Sequence, residues 1–134
     1  MIKSELEIEQ DVYDLLKDEL KQIISGEVYK SGCRPTDAMT EDAVIKVSDA
    51  SADQVQLGHV LVNVYVPDIN GQPDKLRLTN LSKQHENLCE ILNEVTTDEY
   101  SFYPGKAAKA FEEPDIHQHF VNFNIEFQRI TFNS

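Results

Sequence analysis

His117 and His119 are the two side chains in this chain best spaced to hold a metal. On an extended strand both imidazoles would lie on one face, and a His-x-His pair can bind zinc. Such a site needs further ligands, and Asp115 or Glu113 would have to serve. Nothing in the sequence fixes either of them in space, so the reading is two exposed imidazoles near the start of a strand. His85 falls on the apolar stripe of a helix, where a histidine serves as a hydrogen-bonded residue at the core's edge. His59 follows Gly58 with no nucleophile beside it. Ser25 and Ser31 lie in turns, and no G-x-S-x-G exists. The phosphate-binding, dinucleotide-binding and calcium-loop signatures are missing as well. Carboxylates are so abundant that any Asp/Glu pair carries no weight. The expectation is a protein that is not an enzyme and has no cofactor.

Composition narrows the classes further. The chain has 24 acidic residues against 12 Lys and Arg, a formal charge of −12. It repels nucleic-acid backbones, where affinity comes from Lys and Arg displacing counterions. Direct sequence-specific nucleic-acid binding is not expected, although such a surface suits a channel through which DNA slides. Cys33 and Cys89 are not in a C-x-x-C pair and read as reduced thiols, with Cys89 buried on a helix. The apolar runs are too short for a membrane helix. Met1-Ile-Lys-Ser-Glu-Leu-Glu7 lacks a secretory apolar segment, so a cytoplasmic protein is expected. The 134 residues suit one domain, 1–134.

The elements follow from periodicity. Ser4 and Glu7 have the spacing of a capping box. Val12, Leu15, Leu16, Leu20, Ile23 and Ile24 then make one helical stripe, ended by Gly26 as a left-handed cap. Val28-Tyr29 starts a short strand, and Gly32–Asp37 is a loop. Ala43–Ser48 is a second strand. Val55–Val66 is the third and longest, with Val60, Val62, Val64 and Val66 on one face and His59, Leu61, Asn63 and Tyr65 on the other. After the turn at Asn70-Gly71, Lys75–Leu78 reads as a brief extension. Asn80 or Ser82 opens a second helix, with Leu81, His85, Leu88, Leu92 and Val95 on its stripe. Tyr100–Tyr103 is a short strand, and Lys106–Phe111 admits a helical turn. Glu112–Asp115 is a loop. The last strand runs from about His117 to Phe132. Val121, Phe123, Ile125 and Phe127 face in, Asn122, Asn124, Glu126 and Gln128 face out, and a bulge near Arg129 shifts the face. Strands joined by short turns should be antiparallel. The fold class is α+β: a two-layer sandwich with a mostly antiparallel sheet of four to five strands and two helices on one face, in the order α-β-β-β-α-β-β.

Candidate interface residues come from surfaces. Tyr100, Phe102 and Tyr103 cannot all enter one core from an extended segment, so at least one faces out, unless the three cap the core's end. Exposed aromatics are enriched at protein interfaces. Asn70 and Gly71 join exposed strand ends. The Val55–Val66 strand is long enough to overhang the sheet and carry Tyr65 into a neighbour.

Several segments together resemble a known family. They are Asp11-Val-Tyr-Asp-Leu-Leu-Lys17, Gly26-Glu-Val-Tyr29, Ala43-Val-Ile-Lys-Val-Ser48, Val60-Leu-Val-Asn-Val-Tyr-Val-Pro-Asp68, the Leu81–Val95 helix and the closing alternating strand. From about Val12 to Phe132 the chain is similar to the tail-completion, or tail-terminator, proteins of long-tailed phages, of the lambda tail-terminator type. That resemblance implies a homo-oligomeric, hexamer-like ring at the head-proximal end of the tail tube. The ring would stop tube growth, contact tail-tube and head-connector proteins and let DNA pass. It would be made in the bacterial host's cytoplasm and end in the virion tail. The family brings no catalytic residues. The alternatives are another head-tail connector or minor tail component, a stand-alone binding module of a mobile element, and, last, a metal-dependent enzyme using His117 and His119.

Overall fold

The computed structural model describes residues 1–95 and 98–131. Its first helix, α1 (Glu5–Ile23), starts at the expected capping box: the Glu7 N–H donates to Ser4 Oγ at 3.1 Å and the Glu7 carboxylate accepts from the Ser4 N–H. Ile8, Val12, Leu16 and Leu20 bury its stripe. The end differs from expectation. Ile24 is extended and caps the helix, and Gly26 is not left-handed. Gly26 is required by a close approach instead, because a Cβ there would meet Asp42 Oδ1 at 2.1 Å and the Glu41 carbonyl at 2.4 Å.

Six strands form one sheet: β1 (Val28–Lys30), β2 (Ala43–Ser48), β3 (Val55–Pro67), β4 (Tyr100–Pro104), β5 (Lys109–Glu113) and β6 (Gln118–Ile130). Their order is β1-β2-β3-β6-β4, with β5 beside β4 on the same edge of β6. The α+β class and the mostly antiparallel sheet hold. One pairing departs from the short-turn rule: β1 and β2 are parallel. Segment 31–42 is long enough to carry the chain back, and Arg34, paired with the buried Asp42, pins it in place.

Between β3 and β4 in the chain lie α2 (Lys75–Ser82) and α3 (His85–Val95). The expected strand extension at Lys75–Leu78 is thus the first turn of a helix. Asp74 caps it by accepting from the Arg77 N–H at 3.2 Å, and Leu78 and Leu81 enter the core. The single second helix of the sequence reading is two helices meeting at Lys83-Gln84. Lys106–Phe111 gives no helical turn. Its second half is β5, which pairs with the part of β6 left free where β4 stops. Glu112 and Glu113 belong to that strand, and a 3₁₀ turn follows at Pro114–Ile116.

β3 and β6 pair without interruption from Val55↔Ile130 to Pro67↔Gln118. No bulge lies near Arg129, and β3 does not overhang its neighbour. The inward face simply continues through Arg129 and Thr131, both buried, while Ile130 faces out. Val95's side chain and Phe132 lie outside what is described. The core is one cluster joining Val60, Val62, Val64, Val66, Val121, Phe123, Ile125 and Phe127 to Leu88, Cys89 and Leu92 of α3 and to the α1 stripe. Full burial of one such side chain is worth about 1.5–3 kcal/mol. These contacts place every helix on one face of the sheet. No helix among the described residues is long and apolar enough to cross a membrane.

Candidate functional site

Among the described residues the opposite face of the sheet carries no α-helix. Strand alternation fixes which side chains stand there. β3 presents Leu57, His59, Leu61, Asn63 and Tyr65; β6 presents Phe120, Asn122, Asn124, Glu126, Gln128 and Ile130. This face has three zones.

At one end the zone is apolar. Val55 pairs with Ile130, and Tyr103 of β4 pairs with Glu126. Val55, Leu57, Tyr103 and Ile130 are all exposed, Leu57 at 56%. Beside them lies a shallow depression of about 360 Å³ lined by Leu57, His59, Tyr103, Glu126 and Gln128.

The middle zone is polar and internally bonded. Asn122 Nδ2 donates to Asn63 Oδ1 at 2.7 Å. His59 Nδ1 lies 3.0 Å from Asn124 Oδ1. From the helix side His85 Nε2 lies 2.8 Å from the Asn124 carbonyl and its ring packs against Phe123, the core-edge role expected of it.

The far end is aromatic and partly roofed. Tyr65, Phe120 and Phe111 lie in a row, with centroids 5.1 and 5.4 Å apart, the first pair tilted and the second stacked. The Arg34 guanidinium sits 4.2 Å above the Tyr65 ring, an attraction worth about 0.5–2 kcal/mol according to its exposure. Arg34 Nε donates to Asp42 Oδ2 at 3.0 Å, and its Nη2 donates to the Thr40 carbonyl and to Gln118 Oε1. Asp42 is fully buried and also accepts from the Glu27 N–H and the Thr40 hydroxyl. Segment 31–42 is thereby fastened over Tyr65. Burial raises the Tyr65 phenol above its usual range.

The other candidates separate cleanly. Asn70 and Gly71 have φ of 53° and 76°, the paired positive values of a type I′ turn, and both are exposed. Tyr103 is the aromatic that faces out. Tyr100 and Phe102 are corrected to core residues, at 7% and 2% exposure. The Tyr100 hydroxyl donates to Asp11 Oδ2 at 2.7 Å, and its ring stacks on Phe102.

The two histidines do not share a strand face. His117 is not on the strand: it caps the 3₁₀ turn in the left-handed region at φ 53°. His119 Nδ1 is committed to Asp68 Oδ1 at 2.7 Å. Among the described residues no group of three or more His, Cys, Asp or Glu could hold a metal ion. Cys89 is buried, and desolvation pushes its thiol up to about 11, away from the thiolate that reacts.

Two features escaped the sequence reading. Arg129 faces inward at 6% exposure, where Nε donates to Glu99 Oε1 at 2.6 Å and Nη1 to the Met1 carbonyl and Gln56 Oε1. Lys3 joins the group through Asp11 and Glu99, so the N-terminal residues are clipped to the apolar end of the sheet. The second feature is electrostatic. α1 has seven carboxylates against two lysines and α3 has three against none, so both helices are strongly acidic. No family model matches this chain, and no curated protein matches it.

Proposed function

We propose that this chain is a structural tail-completion protein of a long-tailed phage or prophage, acting by assembly and not by catalysis. Its copies close a head-to-tail ring at the head-proximal end of the tail tube, touching tube and head-connector proteins. It works in the host cytoplasm during assembly and then in the virion tail. The observation that carries this reading is the helix-free sheet face with Val55, Leu57, Tyr103 and Ile130 exposed together. Large apolar side chains left exposed on one uncovered face, with polar groups around them, mark a protein contact. The net negative charge of α1 and α3 adds support, because a ring that buries the sheet face leaves these acidic helices free, and such a surface does not grip DNA. The family resemblance supplies the ring and its place in the tail.

The test is native mass spectrometry with negative-stain microscopy, on the chain alone and with tail tubes assembled from the neighbouring genes. A closed ring of about six copies is expected. Leu57→Asp and Tyr103→Asp should abolish it with unchanged far-ultraviolet circular dichroism, since both side chains are exposed in the monomer. Rings that survive both substitutions, or a chain that forms none even on tail tubes, would overturn the assignment.

A further inference from the structure

The sheet guards one of its free strand edges and leaves the adjoining one open. Both β4 and β5 lie against β6, so each has one edge turned away from the sheet. The Gly105 N–H donates to the Asn124 carbonyl, and the Ile130 N–H donates to the Glu99 carbonyl. Even-numbered residues of β6 therefore direct their peptide groups toward β4 and β5. In antiparallel pairs the bonded positions alternate. It follows that the peptide groups of Phe102 and Pro104 of β4 turn toward the free edge, while the Phe102 side chain stays in the core. Asn93 of α3 occupies that edge: its Nδ2 donates to the Phe102 carbonyl at 2.8 Å and its Oδ1 accepts from the Phe102 N–H at 2.9 Å. One side-chain amide thus imitates a neighbouring strand, and Pro104 offers no N–H.

On β5 the same alternation commits Lys109, Phe111 and Glu113 to β6 and turns the peptide groups of Ala110 and Glu112 outward. Among the described residues nothing bonds to them. Lys109–Glu112 are all exposed, Phe111 at 45%. An open edge of this kind is a template for another strand.

The sequence of β5 says which strand fits. Lys109-Ala-Phe-Glu-Glu113 is complementary to itself when run antiparallel about Phe111. We propose that β5 pairs with β5 of a second copy of this chain about a two-fold axis at Phe111. Ala110 then exchanges both backbone bonds with Glu112 of the partner subunit, and the reverse exchange completes four. Lys109 stands opposite Glu113 of the partner subunit, on the same face, twice over. The two Phe111 rings meet at a non-bonded pair, where side chains come closest, each already stacked on its own Phe120. A two-fold contact closes on itself. It is therefore separate from the head-to-tail contacts of a ring, and it stands whether or not the chain belongs to a tail.

Charge reversal tests the pairing directly. Lys109→Glu and Glu113→Lys each place like charges opposite one another twice and should weaken the dimer about tenfold in sedimentation velocity. The double reversal should return it to within about threefold. Phe111→Cys, in a Cys33→Ser background, should oxidise to a covalent dimer about tenfold faster than Ala110→Cys, whose counterpart lies on a diagonal beyond disulfide reach. A chain that is monomeric at about 1 mM, a double reversal as weak as the single ones, or equal oxidation at the two positions would overturn the proposal.

Discussion

Arg129→Met asks how much of the stability rests on the buried Arg129 guanidinium on the inward face of β6. Methionine keeps most of the stem's volume, so the packing loss is small. The polar loss can be taken partner by partner. Glu99 keeps 29% of its side chain in solvent and regains water, so its ion pair is worth about 0–1 kcal/mol. The Met1 carbonyl belongs to an exposed residue and rehydrates, for about 0.5–1 kcal/mol. Gln56 is almost fully buried; its Oε1 loses Arg129 but keeps the Lys3 N–H, for about 1 kcal/mol. The total is about 1.5–3 kcal/mol. At about 3–5 °C per kcal/mol for a domain of this size, Tm should fall by about 5–15 °C. Urea unfolding followed by circular dichroism gives the free energy. Hydrogen exchange supplies a second readout: amide protection should drop first at Lys3, whose N–H depends on an oriented Gln56. A loss under about 0.5 kcal/mol, or unchanged protection at Lys3, would refute the view that Arg129 holds the N-terminal residues to the sheet.

Three further outcomes are expected. Gly58→Ala should cost about 1–3 kcal/mol in the same urea assay, because its Cβ would stand 2.7 Å from the Phe127 ring and 3.1 Å from the Ala50 Cα. Asn93→Ala should cost only about 1–2 kcal/mol, since it removes two neutral hydrogen bonds at an exposed position while helix propensity improves. Its clearer mark should be concentration-dependent association through the unmasked β4 edge, read by light scattering. At alkaline pH, burial and the bond to Asp11 hold the Tyr100 phenol above the usual tyrosine range. The folded chain therefore keeps a proton that the unfolded chain releases above about pH 10, and stability should decline there by about 1.4 kcal/mol per pH unit. Tyr100→Phe should flatten that slope in unfolding free energies measured across this range.

What the sequence made legible is what periodicity encodes. The alternation in Val55–Pro67 and Gln118–Ile130 was strong enough to assign both faces of the two central strands, and the Ser4–Glu7 box placed the start of α1. Those signals are local, so they survive without knowledge of neighbours. The failures share a different physical origin. β5 has no burial pattern, because every residue but its last is exposed; it is a strand only because β6 offers an unpaired edge beyond the end of β4. β1 lies parallel to β2 because the Arg34–Asp42 pair holds the returning segment, and those residues lie eight positions apart in an otherwise loop-like stretch.

Arg129 is the instructive case for the candidate site. Hydrophobic alternation treats a charged residue at an inward position as an interruption, and a bulge is the cheapest repair that pattern reading can offer. Burial of an arginine is tolerated when its donors are matched, and the acceptors here come from residues 1, 56 and 99. No window of sequence contains all of them. The same reasoning explains why Val55, Leu57 and Ile130 do not read as a surface from sequence. Each is an ordinary strand residue in its own segment. Only the register, which sets Val55 against Ile130 and Leu57 against Gln128, gathers them with Tyr103 on a face that no helix covers.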